Sequence, residues 1–367
     1  MKDPILLNQL WKEVEAGRVA ASQSGPLTIF KYTQETHIRD LWNEVNRKAR
    51  GIIFHTDGTV VARPFDKFFN LNERSETLPD NLPWQESVEV YEKVDGSCGI
   101  GYIKDVDGDI MAGPLWRWHL ATPGSMESEQ AAEGTRMLNE LGYKLEHLPR
   151  DCTPVFEIIY PENRIVVDYD GKRELVLLAI FEHNGVEWHP RRVDQIASMC
   201  GFRRPSRYNV DLRSEIPFDE NSEGYVARFE SGFRVKVKSP TYLRIHRLLN
   251  YLSPKGVIEL MRGKEYGPTV KQLPKSIAVD FDDVRAYVQG LYNAIYTRAY
   301  ESHNRLLEEV GPNQPRKEYA LWVQTNVANA ETGFVFALLD NKDIEDKVWK
   351  LVLDQVREER GKVPVGE

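Results

Sequence analysis

Lys93-Val94-Asp95-Gly96-Ser97 closes an apolar run, Val88, Val90 and Tyr91, with a lysine followed at once by an Asp-Gly pair. A segment of this kind is most often a solvent-facing hairpin, because Asp-Gly is a strong two-residue turn signal. The other reading is a nucleophile. A lysine amine attacks phosphorus only when deprotonated, and burial at a strand end among other cations favours that form. Glycine at 96 would then let the backbone approach a nucleotide closely. What accompanies the lysine chooses between the two. Phe156-Glu157-Ile158-Ile159 sets one acid inside an apolar strand, and Glu223-Gly224-Tyr225-Val226 sets a second before another strand. Arg234-Val235-Lys236-Val237-Lys238 alternates three cations on one strand face, since side chains two apart share a face. Singly these are ordinary: an edge acid paired to an arginine, a turn acid, a solvated face. Together they supply a nucleophilic lysine, two oxygen ligands for a hard divalent cation and a phosphate-facing pair of lysines, the inventory of nucleotidyl transfer to an enzyme lysine.

Outward from this segment the pattern is antiparallel β. Asp57-Gly58, Asp95-Gly96, Asp107-Gly108, Asp170-Gly171 and Asn184-Gly185 read as hairpin turns between β-rich runs at 51–54, 59–62, 88–93, 99–103, 155–160, 165–169, 175–181 and 233–237. Helices are expected over 5–16, 125–141 and 193–200. After Pro240 the texture changes. Val284, Val288, Leu291, Ile295, Ala299, Leu306 and Val310 recur at helical spacing, as do Ile344, Val348, Leu351, Val352 and Val356, with Pro312-Asn-Gln-Pro315 as a loop between helices. The expectation is an α+β chain: an antiparallel-sheet domain over residues 1–240, which carries the chemistry, followed by an all-helical domain over 241–367.

The 367 residues suit two domains. A hydrophobic content of 41% and a mean hydropathy of −0.49 are those of an ordinary globular chain. No apolar run reaches the ~18 residues of a membrane span, and Met1-Lys2-Asp3-Pro4 lacks the order of a secretory signal. The expected compartment is the cytoplasm, that of a host cell if the chain is phage-encoded. Cys98, Cys152 and Cys200 form neither a disulfide framework nor a zinc site. Net charge is −8, and residues 241–367 hold 18 basic against 18 acidic side chains, so nonspecific coating of nucleic acid is disfavoured and any such contact must be a local basic patch. There is no P-loop, no dinucleotide glycine fingerprint, no His-Glu-x-x-His and no Gly-x-Ser-x-Gly, which removes several large enzyme classes.

The ordered set resembles the covalent nucleotidyltransferases, and within them the phage RNA ligase 1 family. The shared motifs are Lys93-Val-Asp-Gly-Ser97, Phe156-Glu157, the apolar strand 175–181, Glu223-Gly-Tyr-Val226 and Lys236-Val-Lys238. More particular to that family are Arg50-Gly-Ile-Ile-Phe54, Arg63-Pro64, the run from Lys67 through Phe68 and Phe69 to Glu73, and Tyr242 four residues after Lys238. The resemblance implies a nucleotidyltransferase domain using ATP and Mg²⁺ or Mn²⁺, with Lys93 taking AMP and Lys236 and Lys238 catalytic at the α-phosphate. It implies Arg50 and Lys67 on the β- and γ-phosphates, Asp95, Gly96 and Tyr242 among the nucleotide-binding residues, and Glu157 and Glu223 working through the metal and its waters. The partner implied is single-stranded or nicked RNA, with tRNA one candidate, and the expected state is a monomer away from membranes.

One departure is the stretch after the lysine hairpin, where the family type has a second lysine and this chain has Trp116-Arg117-Trp118. Arg117 replaces that cation or none is needed, and the two tryptophans either stack on bases or are buried. The helical tail argues against DNA ligases and capping enzymes, which normally continue into a β-rich module. Two other readings stand beside RNA ligase: a generalist polynucleotide ligase, separated by comparing RNA with DNA substrates, and a noncatalytic RNA-binding relative, separated by AMP capture.

Overall fold

The computed structural model describes residues 1–105, 116–214 and 216–360, with side chains except at 105, 116 and 358–360. The Asp107-Gly108 turn and the Trp116 side chain lie outside the described part. The chain divides into two units, Met1–Leu243 and Arg244–Glu367.

The first unit is built on three sheets. Helix α1 (Pro4–Glu15) precedes β1 (Val19–Ser24), β2 (Leu27–Tyr32), β3 (Arg50–His55) and β4 (Val60–Ala62), a four-stranded antiparallel meander in which the short helix α2 (Gln34–Ile38) interrupts β2 and β3. One face of this sheet, with Phe30, Ile52 and Phe54, covers Leu6 and Leu10 of α1, while the opposite face sets Ile29, Ile53 and Val61 against Ile100 and Tyr102. Strands β5 (Phe69–Asn70) and β6 (Val88–Glu92) belong to a second sheet, and β7 (Ser97–Asp105), β8 (Trp116–Ala121), β9 (Cys152–Ile159) and β10 (Glu174–Glu182) form a third, ordered β10-β9-β7-β8. Its outer face is closed by α3 (Glu129–Glu140) and α4 (Pro190–Cys200) over Phe156, Ile158, Leu175 and Leu177. The chain then returns to the second sheet through β11 (Arg207–Tyr208), β12 (Gly224–Phe229) and β13 (Arg234–Lys238), giving the order β11-β6-β12-β13-β5. Its outer face buries Val90, Ala227, Phe229 and Val235, so the alternate residues Tyr91, Val226, Lys236 and Lys238 lie on the other face.

The α+β class and antiparallel sheets stand, with β13 and β5 the one parallel strand pair among the described residues, Val235 to Phe69 and Lys236 to Asn70. Two local expectations are corrected. Asp95-Gly96 is not a hairpin turn, because β6 and β7 lie in different sheets and the segment between them is a crossing. Residues 165–169 form no strand, because the Val166 and Val167 N–H groups donate to the Asp95 carboxylate instead of to a ladder. The helix expected from 125 starts at Glu129, where the Ser128 hydroxyl accepts the Ala131 N–H and caps it. Trp118 is 1% exposed in the core of the third sheet, which removes it from base stacking, while Arg117 on the opposite strand face is exposed.

The boundary between units falls within α5 (Pro240–Leu249). The second unit continues with α6 (Pro254–Arg262), α7 (Tyr266–Val270), α8 (Lys275–Val310), α9 (Arg316–Asn326), α10 (Thr332–Leu339) and α11 (Glu345–Arg360). Helix α8 buries Val288, Ile295, Ala299 and Leu306 of the stripe legible in the sequence, together with Phe281, and packs on α6, α9, α10 and α11. Among the described residues no helix is long and apolar enough to cross a membrane.

Candidate active site

The five residues from Lys93 to Ser97 carry the chain from one sheet to another, and their hydrogen bonds explain the path. The Lys93 N–H donates to the Gly224 carbonyl at 2.9 Å, extending the β6–β12 pairing by one residue. Asp95 is 4% exposed. Its Oδ2 accepts the Val166 and Val167 N–H groups at 3.0 and 2.9 Å, its Oδ1 accepts the Tyr242 hydroxyl at 2.8 Å, and its own N–H donates to the Tyr169 oxygen at 2.8 Å. Burial and the charge of Glu223 push the Asp95 pKa up, against the pull of these bonds. Asp95 and Tyr242 therefore pin the backbone of the crossing through these bonds. Gly96 is required for a steric reason: a Cβ there would stand 2.5 Å from the Ile158 carbonyl oxygen. At Gly224 the backbone has φ of +129° and a Cβ would meet the Val237 carbonyl oxygen at 2.1 Å.

Glu223, 3% exposed, joins two of the expected cations. Its Oε2 accepts from Lys93 Nζ at 2.6 Å and its Oε1 lies 2.9 Å from Lys238 Nζ. Glu157 sits opposite on β9, between Cys98 and Val176 in register, with Oε1 accepting the Gly96 N–H at 3.2 Å. Burial pushes its pKa up to about 7; Glu223 and Asp95 add to this, while Lys93 and Arg50 oppose it. Lys236 is pushed the other way, down to about 7, by burial and by the charges of Arg50, Lys93, Lys67 and Lys238. Its ammonium rests 4.7 Å from the Phe68 ring centroid, with the Arg50 guanidinium 5.7 Å from the same ring. Arg234, the third cation of the strand, is committed elsewhere: it is bound to Glu187, which also takes Arg228, and lies over Phe65.

The structure thus brings Lys93, Glu223, Lys238, Glu157, Lys236, Arg50 and Lys67 into one electrostatic neighbourhood of the first unit. A slot beside it is lined by Phe68, Tyr91, Leu178, Pro205 and Val226 together with the charged Glu92, Glu187, Arg204, Arg228 and Arg234, and its exposed lining is mostly apolar, which suits a base. Glu157, desolvated and without an ion pair among the described residues, is a carboxylate that suits a hydrated divalent cation. Both oxygens of Glu223 are engaged by lysines, so its link to a metal would run through water. Sequence reasoning missed Tyr169, whose hydroxyl receives the Asp95 N–H, and the two valine amides, since neither carries a motif.

The Glu157 shift carries a stability consequence. Its folded pKa lies above the ordinary glutamate value of 4.5, so the folded chain holds the proton more tightly. Stability is then lost as pH rises from about 4.5 to 7 and stays lost above. Glu157→Gln is expected to stabilise the ligand-free, metal-free chain by on the order of 2 kcal/mol at pH 8 and by clearly less at pH 5. Thermal melts at the two pH values check this, and a lower Tm for the variant at pH 8 would contradict it.

Antiparallel sheets thus meet at a lysine-bearing crossing, with carboxylates and cations around the amine. The RNA ligase family profile of the T4 RNA ligase 1 type matches residues 48–242, just over half of the chain, and the chain belongs to that family. Among its relatives, a protein of Thermovibrio ammonificans provisionally named an RNA ligase is 31% identical over 57% of this chain and 55% of its own. The RNA ligase of Rhodothermus phage RM378 is 23% identical over 83% of each chain. RNA ligase 1 of bacteriophage TS2126 is 27% identical over 58% of this chain and 54% of its own. The chain spans about half the length of the first and third of these.

Proposed function

We propose that the chain is an ATP-dependent RNA ligase that joins 5′-phosphate and 3′-hydroxyl ends, the observation that carries this being the Lys93 amine held by Glu223 among Lys238, Lys236, Arg50 and Lys67. Lys93 Nζ, released from Glu223 and without its proton, attacks the α-phosphorus of ATP. A P–N bond forms, the bond from the α-phosphorus to the bridging oxygen breaks, and pyrophosphate leaves. An RNA 5′-phosphate oxygen then displaces the lysine from AMP, and a 3′-hydroxyl attacks the 5′-phosphate and expels AMP. Each is a phosphoryl displacement in which positioning and charge supply most of the catalysis. The apolar slot takes the adenine. Lys236 and Lys238 hold the α-phosphate, and Arg50 and Lys67 hold the β- and γ-phosphates. Glu157, and Glu223 through water, would hold Mg²⁺ or Mn²⁺, which when bound offsets charge on the phosphate oxygens. Incubation with ATP labelled at the α-phosphate, followed by a 5′-phosphorylated RNA, tests the proposal: labelled protein and then sealed RNA are expected, and an unlabelled protein would overturn it.

The first unit is read as the adenylylation module and the second as the part that chooses the RNA, single-stranded, nicked or tRNA-derived, with a monomer in the cytoplasm as the working form. Stopping the chain after Leu249 keeps α5 whole. The truncated protein is expected to retain AMP capture within about tenfold while discriminating less between tRNA-like nicks and simple single strands. Unchanged preference in a folded truncation would make the helical unit a scaffold.

A further inference from the structure

The cations around the lysine are held in two different ways. Lys93 and Lys238 share a carboxylate. Arg50, Lys67 and Lys236 form no ion pair among the described residues and rest on aromatic rings instead. Lys67 is the extreme case. Its Nζ lies 5.3 Å from the ring centroid of Tyr32, 5.2 Å from that of Trp42 and 5.2 Å from that of Phe69. The three rings brace one another edge to face, Tyr32 to Trp42 at 4.8 Å and Trp42 to Phe69 at 5.5 Å. They come from separate places: the end of β2, the stretch beyond α2, and β5. The backbone between is fixed too, the Lys67 N–H donating to the Arg47 carbonyl at 2.7 Å.

The cage is selective for Lys67. Phe69 also receives Arg47 and Arg74, but these are neutralised by Glu76 and Asp40. Glu73, the acid whose charge bears most on Lys67, is occupied by the Asn70 N–H and side-chain amide. A ring face attracts an ammonium through its quadrupole without supplying a counter-charge. A carboxylate in the same place would cancel the charge that an incoming polyphosphate needs. Tyr32 and Trp42 also lie before residues 48–242, the part matched by the family profile.

We propose that Tyr32, Trp42 and Phe69 are positioning residues that hold the Lys67 ammonium in place while leaving its charge unspent for the triphosphate tail of the nucleotide. The inference rests on the reading of the chain as an ATP-dependent ligase. It makes the cage a device for the ATP-consuming step alone, since the β- and γ-phosphates are gone once AMP has been transferred.

The full chain tests this with Trp42→Ala, Trp42→Leu and Trp42→Phe and with Tyr32→Ala and Tyr32→Phe. Phe69 is set aside because it also seats two arginines. Leucine keeps apolar bulk and removes the π face, so it separates the cage from plain packing. Two rates are read: AMP labelling across a range of ATP concentrations, and sealing of pre-adenylylated RNA. The expected result is a roughly tenfold loss in kcat/KM for ATP in the alanine and leucine variants, expressed mainly in KM. The phenylalanine variants should stay within about threefold, and sealing of pre-adenylylated RNA should be unchanged. In a Lys67→Ala background, Trp42→Ala should then cost less than about twofold, because the group it positions is gone. Equal losses in both assays, leucine behaving as phenylalanine, full additivity with Lys67→Ala, or no loss at all would each overturn the cage. A wild-type chain that takes no AMP from ATP would remove the ligase reading itself, whereas labelling by the wild type and by Trp42→Leu alike would remove only the cage. Should an alanine variant fail to fold, the leucine and phenylalanine pair decides.

Discussion

Lys93→Ala is expected to lower AMP capture from ATP by at least ~10³-fold, to background. Alanine offers no nucleophile, and neither neighbouring lysine sits at the crossing to replace it: Lys238 is tied to the other oxygen of Glu223, and the Lys236 ammonium rests over the Phe68 ring. The crossing itself should survive, because it is pinned by Asp95, Tyr242 and Tyr169 rather than by the lysine side chain. The variant should therefore still seal pre-adenylylated RNA to a measurable extent, as the last displacement does not use the lysine as attacking group. Lys93→Arg, which keeps the charge beside Glu223 but not the nucleophile, should lose labelling equally. Normal labelling in either variant would refute the assignment.

Glu223→Gln carries the second largest expected effect. The carboxylate is almost wholly buried and satisfies two ammonium groups at once. Removing one partner of a buried charge network costs about 3–5 kcal/mol because the remaining charges are left uncompensated. An amide can accept from one lysine but cannot offset both, so Lys93 and Lys238 would repel and the amine would leave its position. Adenylylation should fall by about 10²–10³-fold, each ~1.4 kcal/mol being a factor of ten. Lys238→Met, which removes one of the two cations, should restore part of the structural stability of Glu223→Gln but not its activity. The check is labelling rate together with thermal melting of the single and double variants. Near-normal labelling by Glu223→Gln would reduce the residue to a structural acid.

Much of this arrangement could be read from the chain because period-two alternation and short turns are local signals. The β6, β7, β9, β10 and β13 runs, Lys93, the two glutamates and the alternating lysines were legible for that reason. The errors share one cause, a local signal overruled by distant hydrogen bonds. Asp95-Gly96 has the chemistry of a hairpin turn, but its carboxylate is claimed by Val166, Val167 and Tyr242, and the chain changes sheets. The same bonds deprive residues 165–169 of a ladder. Strand β1, Val-Ala-Ala-Ser-Gln-Ser, has little β-branched content and gave no signal, although it completes the first sheet. The helices α9 and α10 are short and lay between two longer stripes. The aromatic seat of Lys67 was out of reach of any motif, since Tyr32, Trp42 and Phe69 meet only through the fold.

The most direct test of the central claim is to map the nucleotide after brief incubation of the intact chain with ATP and Mg²⁺. Proteolysis under alkaline conditions, which spare a P–N bond, followed by mass spectrometry should find a single AMP adduct, on the peptide containing Lys93 and at its Nζ, discharged on addition of 5′-phosphorylated RNA. An adduct on any other residue, or sealing of RNA with ATP while Lys93 is never modified, would contradict the account.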